Sequence, residues 1–265
     1  MERVTEQRTE TAPAPARRPR PTYEVTVVRT ETVGAHLVRV IAEGESLATF
    51  GDPDLPGLPS TDSYVKLAFG DATRTYTVRS FDRAERRIAI DFVVHGDEGL
   101  AGPWAKSARP GDTLTIMGPG GAYSPDAAAA WHLLAGDLSA VPAIASALEA
   151  LPADARGSAV IEVESDADRI DLTAPAGVNV RWAVNPDVAD VDFLARQVAV
   201  ANWPEDRATA HVFAHGERES IKAIRKVLRE LAIPRERLSI SGYWARGRAE
   251  DAFQAEKRQP IGQID

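Results

Sequence analysis

A chain of 265 residues, 44% apolar and 26% charged, is long enough for two small domains and can bury a substantial core. Its formal charge of −8 argues against a nucleic-acid partner, which would call for a basic surface. The absence of cysteine excludes disulfides, thiolate metal sites, iron–sulfur clusters and cysteine nucleophiles, so redox chemistry here has to come from a bound cofactor.

Residues 1–20 mix charges with Pro13, Pro15 and Pro19 and lack the apolar centre of a secretory signal, which predicts a disordered arm. No apolar run approaches the ~20 residues needed to cross a bilayer. The expectation is therefore a cytoplasmic protein without membrane insertion. From Tyr23 onward, Val- and Thr-rich runs predict strands over residues 23–29, 36–41, 64–69, 74–80, 87–94 and 113–117. Val33-Gly34, Gly70-Asp71 and Pro110-Gly111-Asp112 supply turns, and Pro53, Pro56, Gly57 and Pro59 mark a loop. Six strands with one short helix near Gly102 predict a small antiparallel barrel over residues 21–125.

The composition shifts at residues 118–121 and again at the alanine run 127–130, which predicts a second domain over residues 126–265. Strands over 131–135, 159–163, 178–184, 210–214 and 238–240 alternate with helices over 139–151, 191–200 and 219–231. In the last helix Ile221, Ile224, Val227, Leu228 and Leu231 form one apolar face. Such alternation predicts a doubly wound parallel sheet whose ligand edge lies at the carboxyl ends of its strands.

Several residues carry chemistry. Gly102 has no Cβ to hold a ligand away, and Pro103 suits a first helical position. The N–H groups of Trp104, Ala105 and Lys106 are then expected to point at an anion such as a pyrophosphate. Taken alone, an ordinary capped helix fits as well. Along residues 74–80 strand alternation puts Arg74 and Tyr76 on one face and Thr77 and Arg79 on the other. A guanidinium beside an aromatic ring suits a phosphate and a ring system, and a solvated amphipathic strand fits the same residues.

His95 ends a strand before Gly96, but no second histidine stands at metal-ligand spacing, so no metal site is expected. His36, His132, His211 and His215 read as structural or surface residues. Asp91 lies ~13 Å from His95 along an extended strand. No Gly-x-Ser-x-Gly elbow supports a hydrolase. Residues 135–143 form a small-residue turn between a strand and its helix; it lacks Gly-x-Gly-x-x-Gly but is placed to offer amides to a phosphate or nicotinamide edge.

Taken in order, these pieces are Arg74-x-Tyr76-Thr77-x-Arg79, Asp91-Phe92-Val93-x-His95-Gly96, Gly102-Pro103-Trp104-Ala105, Arg109-Pro110-Gly111-Asp112, a turn ending Pro142-Ala143-Ile144, and Tyr243-Trp244-x-x-Gly247-x-x-Glu250. Over residues 21–258 the set resembles the siderophore-interacting proteins, flavin-dependent ferric-siderophore reductases of the ferredoxin-reductase-like superfamily. The resemblance implies an FAD-binding barrel and an NAD(P)H-binding α/β domain. It also implies hydride transfer from the nicotinamide to FAD and single-electron reduction of Fe(III) in a siderophore, with release of Fe(II).

By the same resemblance Arg74 and Tyr76 hold the flavin, and Thr77 lies near its N5. Arg79, Phe92, Val93 and His95 line the FAD, and Gly102, Pro103, Trp104 and Ala105 take its pyrophosphate. Gly136, Asp137, Ser139, Glu217, Tyr243 and Trp244 fall at nicotinamide-domain positions. Tyr76, Thr77 and Trp244 are expected nearest the reaction, and Lys66 and Arg246 on the anionic siderophore.

The chain departs from the family pattern at Leu138 and Ser139, at Gly120 in place of an arginine, and at Ala245, with Arg246 one place later. The family favours NADPH; Glu162 and Glu164 near a strand end suit ribose hydroxyls, so NADH stays open. A monomer is expected. Two other readings remain: a general FAD-dependent NAD(P)H reductase for another acceptor, and a non-catalytic flavin- or siderophore-binding protein.

Overall fold

The computed structural model describes residues 20–52, 60–94 and 99–264. The expectations for residues 1–19, for the proline-rich loop 53–59 and for His95 lie outside them. Six strands, β1 (Thr22–Gly34), β2 (Leu37–Glu43), β3 (Tyr64–Phe69), β4 (Ala72–Asp82), β5 (Arg87–Val93) and β6 (Thr113–Gly120), close into an antiparallel barrel in the order β1-β2-β5-β4-β3-β6.

Strand alternation explains why the barrel closes. Along β1, Tyr23, Val25 and Val27 point inward, each 2% exposed, while Glu24 and Thr26 face solvent. β1 runs further than its apolar pattern, because the polar Thr30, Glu31 and Thr32, and then Gly34, still form ladder pairs with β2. The turn consequently falls at Ala35-His36 rather than Val33-Gly34. Helix α1 (Ala101–Ser107) buries Ala101 and Ala105 in the barrel core. Its Trp104 packs on Phe69 at 5.7 Å and on Phe92 at 5.6 Å.

Five parallel strands follow: β7 (Trp131–Gly136), β8 (Gly157–Val163), β9 (Val178–Val184), β10 (Ala210–Glu217) and β11 (Leu238–Trp244), ordered β11-β10-β7-β8-β9. Helix α2 (Val141–Ala150) covers one face with Leu134, Ile161 and Phe213 beneath it. Helices α3 (Phe193–Ala199) and α4 (Arg218–Glu230) cover the other over Leu133, Val160 and Val212, with Ile221, Ile224 and Leu228 buried as their spacing predicts. A last helix, α5 (Glu250–Glu256), contacts β4 of the barrel. The chain adds β8 and β9 on one side of β7, then β10 and β11 on the other. The reversal opens a crevice at the carboxyl ends of β7 and β10.

The barrel and the sheet lock together around that crevice. Arg79 donates to Glu149 of α2 at 2.5 and 3.0 Å, and Ser146 donates to the Arg79 carbonyl at 3.0 Å. On the other side His36 meets Asp168 at 2.6 Å. No helix among the described residues is long and apolar enough to cross a membrane.

Candidate functional site

A cleft of about 1090 Å³ lies between the barrel and the carboxyl edge of the sheet. It exceeds the ~300–1,000 Å³ typical of a single-ligand pocket, leaving room for parts of two ligands. Tyr64 and Lys66 of β3 and Thr75, Tyr76 and Thr77 of β4 form the barrel wall. Alternation placed Tyr76 and Thr77 on opposite faces, yet all three β4 residues line the cleft. Pairing with β3 is regular from Ala72 to Thr77, so alternation holds there, and Thr77 is buried because Tyr243 of the second domain covers its face. The phenol of Tyr76 rests against Phe92, centroids 4.4 Å apart, and burial pushes it up to about 12.

The sheet wall is organised by Asp137, at the end of β7. Its Oδ1 accepts from the Ser139 N–H at 2.9 Å and the Ser139 hydroxyl at 2.5 Å. Its Oδ2 accepts from the Glu217 N–H at 2.7 Å and the Trp244 indole at 2.9 Å. Burial raises this carboxyl, and the four donors oppose the shift. Gly216 makes the arrangement possible, since a Cβ there would stand 2.7 Å from Oδ2.

Glu217 plays a structural part: Oε2 caps α4 through the N–H groups of Glu219 and Ser220 at 2.6 and 3.0 Å, and Oε1 accepts from the Arg246 N–H at 3.1 Å. Trp244, 36% exposed, overhangs the cleft with the Arg246 guanidinium 5.6 Å from its ring centre. Tyr243 hydrogen-bonds Thr77 across the two domains, and its hydroxyl is raised mainly by burial.

Several expected site residues stand elsewhere. Arg79 is committed to Glu149, and Phe92 is fully buried under Tyr76, so neither presents a side chain to the cleft; Val93 does. Arg74 donates to the Thr73 carbonyl at 2.8 Å and lies 3.9 Å from Asp251, outside the cleft lining. Gly102, Pro103, Trp104 and Ala105 also lie off the lining. Because α1 starts at Ala101, Pro103 is its third residue and the Trp104 N–H already bonds the Leu100 carbonyl at 3.2 Å. The Trp104 N–H, expected to point at an anion, is thus used within the helix, and Pro103 carries none. Steric need for glycine is absent at 102, where a Cβ would meet Val93 at an ordinary 3.4 Å.

The family departures have local causes. A Cβ at Gly120 would meet the Tyr64 ring at 2.4 Å, so that ring fills the space of a side chain. Ala245 is buried, a poor place for a guanidinium, whereas Arg246 is exposed and lines the cleft.

Residues that sequence reasoning left aside also converge here. Glu250 of α5 accepts from the Thr75 N–H at 3.0 Å and the Thr75 hydroxyl at 2.6 Å. Lys257, lowered by burial, with Lys66 also lowering it and Glu250 opposing, joins Lys66 and Arg258 in a basic corner of the cleft. The Glu that closes the Tyr243–Glu250 motif was the available signal for this helix.

His215, read from sequence as structural or surface, lines the cleft while only 5% exposed. It stacks on Phe213 at 4.0 Å, its Nε2 meets the Ser239 hydroxyl at 3.0 Å, and its Nδ1 has no partner. Burial, aided by Lys257, pushes it down to about 3. The unfolded chain therefore takes up a proton near pH 6.5 that the folded ring refuses until about pH 3. This group's stability contribution is complete above about pH 6.5 and is lost as pH falls toward 3. Glu162, raised to about 6 by burial, works in the opposite sense in both parent and variant. His215→Phe is expected to flatten the fall of Tm between pH 7 and 5; melts that parallel the parent across that range would contradict a neutral buried imidazole.

Comparison with known proteins bears on the same regions. A family profile described as siderophore-interacting FAD-binding domain matches residues 71–123, and one described as siderophore-interacting protein matches residues 129–247. An uncharacterized Mycobacterium tuberculosis protein is 42% identical, covering 91% of this chain and 96% of its own. The ferric vibriobactin reductase ViuB of Vibrio cholerae is 34% identical, covering 87% of this chain and 92% of its own. The crystal structure of the siderophore-interacting protein SipS from Aeromonas hydrophila superposes with a TM-score of 0.78 at 29% identity, covering 92% of this chain and 99% of SipS. With a barrel matching the flavin-binding profile, a parallel sheet matching its companion, and a relative this similar over nearly the whole of both chains, the protein belongs to the siderophore-interacting protein family.

Proposed function

We propose that the protein is a cytoplasmic, monomeric FAD-dependent reductase that uses NAD(P)H to reduce Fe(III) in a siderophore and so release iron as Fe(II). The observation that carries this reading is one cleft lined both by Tyr76 and Thr77 of the flavin-type barrel and by Asp137 and Trp244 at the sheet's ligand edge. The similarity to a ferric vibriobactin reductase supports the acceptor class.

The residues present fit FAD: an aromatic platform at Tyr76 and hydroxyls at Thr75 and Thr77 line the cleft, and the Arg74 guanidinium stands beside it on the same strand, outside the lining, as a cation for phosphate. Bound there, FAD would accept electrons in pairs from a nicotinamide and hand them on singly to iron. The chain's own part is to hold and orient. Tyr243 fixes the Thr77 hydroxyl, Asp137 fixes the Trp244 indole, and the basic corner at Lys66, Lys257 and Arg258 attracts an anionic iron complex to an acidic protein. Iron needs no protein ligand, because Fe(II) is held less tightly than Fe(III) by a siderophore's hard oxygen donors.

The deciding experiment supplies purified, FAD-loaded protein with NADH or NADPH, a ferric siderophore and an Fe(II)-trapping dye. Dye colour dependent on all components is expected. Flavin bleaching without Fe(II) across hydroxamate and catecholate complexes would replace the reading with a reductase for another acceptor. A colourless protein that takes up no FAD would end it.

Two variants separate the cofactor from the acceptor. Arg74→Ala is expected to weaken FAD retention about 10–100-fold, the loss of one charged hydrogen bond to phosphate. Lys66→Ala should keep its flavin and raise KM for the iron complex. Equal flavin content in Arg74→Ala and parent after dialysis would contradict the phosphate role.

A further inference from the structure

The nucleotide preference can be read from the far end of the cleft, on the strength of the dinucleotide-binding reading above. Glu162 lies at the carboxyl end of β8, beside the turn that follows β7, and lines the cleft with Val163 and Glu164. In doubly wound sheets an acidic residue at the end of the second strand, ~20 residues beyond the first strand's turn, accepts hydrogen bonds from the adenosine ribose. The same carboxylate repels a 2′-phosphate.

Glu162 is held in place rather than loosely exposed. Its Oε1 accepts from Nδ2 of Asn185 at 2.7 Å, and Asn185, 2% exposed, is itself tied to β8 by an N–H bond to the Val163 carbonyl at 2.8 Å. Among the described residues no side chain or backbone group bonds Oε2, the oxygen left to receive a ribose hydroxyl. That a ligand belongs in this cleft does not rest on the carboxylates, because the buried, unpartnered Nδ1 of His215 belongs to the same lining.

The surrounding charge favours an uncharged ribose. Asp137 and Asp190 add negative field at Glu162. Of the two guanidiniums within electrostatic reach, Arg196 is paired with Asp190. Arg246, over Trp244, is the cleft-lining cation that acts on Glu162 among the described residues.

We infer that Glu162 binds the adenosine ribose hydroxyls of the nicotinamide dinucleotide and makes NADH, not NADPH, the preferred electron donor. Asn185 acts as a positioning residue for it.

The test measures equilibrium binding of NAD⁺, NADP⁺, ADP-ribose and 2′-phospho-ADP-ribose to the FAD-loaded protein by calorimetry at pH 8, with no turnover involved. NAD⁺ and ADP-ribose should bind at least tenfold more tightly than their 2′-phosphorylated counterparts. Glu162→Gln keeps an oxygen for Asn185 while removing the charge, and should narrow that ratio by about tenfold or more. Arg246→Ala should leave the ratio unchanged. NADP⁺ binding as tightly as NAD⁺ to the parent, a ratio unmoved in Glu162→Gln, or selective loss of NADP⁺ in Arg246→Ala would each overturn the inference while leaving the reductase reading intact. Should Glu162→Gln not fold, the parent's own ratio decides. Failure of all four probes to bind would remove the dinucleotide site and this inference with it.

Discussion

Asp137→Ala is expected to cost about 2 kcal/mol of stability, a fall in Tm of roughly 4–8 °C for a chain of this size. The carboxylate accepts from Ser139 twice, from the Glu217 N–H and from the Trp244 indole, and alanine removes all four hydrogen bonds at once. The Glu217 amide is the costly one: Glu217 is a buried residue, and an unsatisfied buried donor carries a penalty of about 1–3 kcal/mol. Removing a carboxyl that burial already penalises offsets part of the loss. The functional consequence should exceed the structural one, because Trp244 is released from the cleft wall. Its fluorescence should shift toward that of a mobile indole, and nicotinamide-driven reduction should slow. Asp137→Asn, which keeps one carbonyl oxygen, should fall between. An alanine variant that melts with the parent and leaves Trp244 fluorescence unchanged would show that this network is not what holds the edge of the sheet.

Gly136→Ala should be more destabilising still, by about 3 kcal/mol, the upper end of overpacking effects. A single methyl at 136 would stand 2.4 Å from the His215 carbonyl and 2.5 Å from the Ala140 Cβ. Both are parts of rigid elements, one on the neighbouring strand β10 and one in the turn leading into α2. Relief therefore requires β7 and β10 to separate at the mouth of the cleft, where both Asp137 and His215 stand. Gly70→Ala is the matched control, since Gly70 has φ +60 but open space around it, and only about 1–2 kcal/mol of left-handed strain applies. Thermal melts on the pair, with nucleotide affinity measured alongside, check this. Equal Tm losses at the two positions would mean that close approach of β7 to β10 is not the constraint.

Legibility in the sequence varied by element. Helix α4 was readable to within a residue or two, because its apolar residues recur at helical spacing along one buried face. β1 was read too short, since its second half is held by ladder bonds to β2 under polar side chains, and apolar alternation is blind to backbone pairing. Helix α1 was placed correctly but started too late: Pro103 satisfies a first-turn preference that any of the first helical positions meets, and the helix begins two residues before it at Ala101. Alternation also separated Tyr76 from Thr77, and the second domain, whose Tyr243 reaches Thr77, brings both to one cleft.

What this amino-acid sequence determines unaided is the succession of a six-stranded barrel and a doubly wound sheet, and, through the order of its motifs, the family. Those properties are local: strand and helix periods, turn residues and strand-end glycines act over a few residues each. The site is not local. Thr75 meets Glu250, Thr77 meets Tyr243, and Asp137 meets Trp244 across separations of more than a hundred residues. Periodicity says which face of an element is apolar but not which distant face it will find. Only the packing of α5 and the end of β11 against the barrel decides that His215 faces a ligand cleft and that Phe92 supports Tyr76 from below. The same packing commits Arg79 to a glutamate of α2.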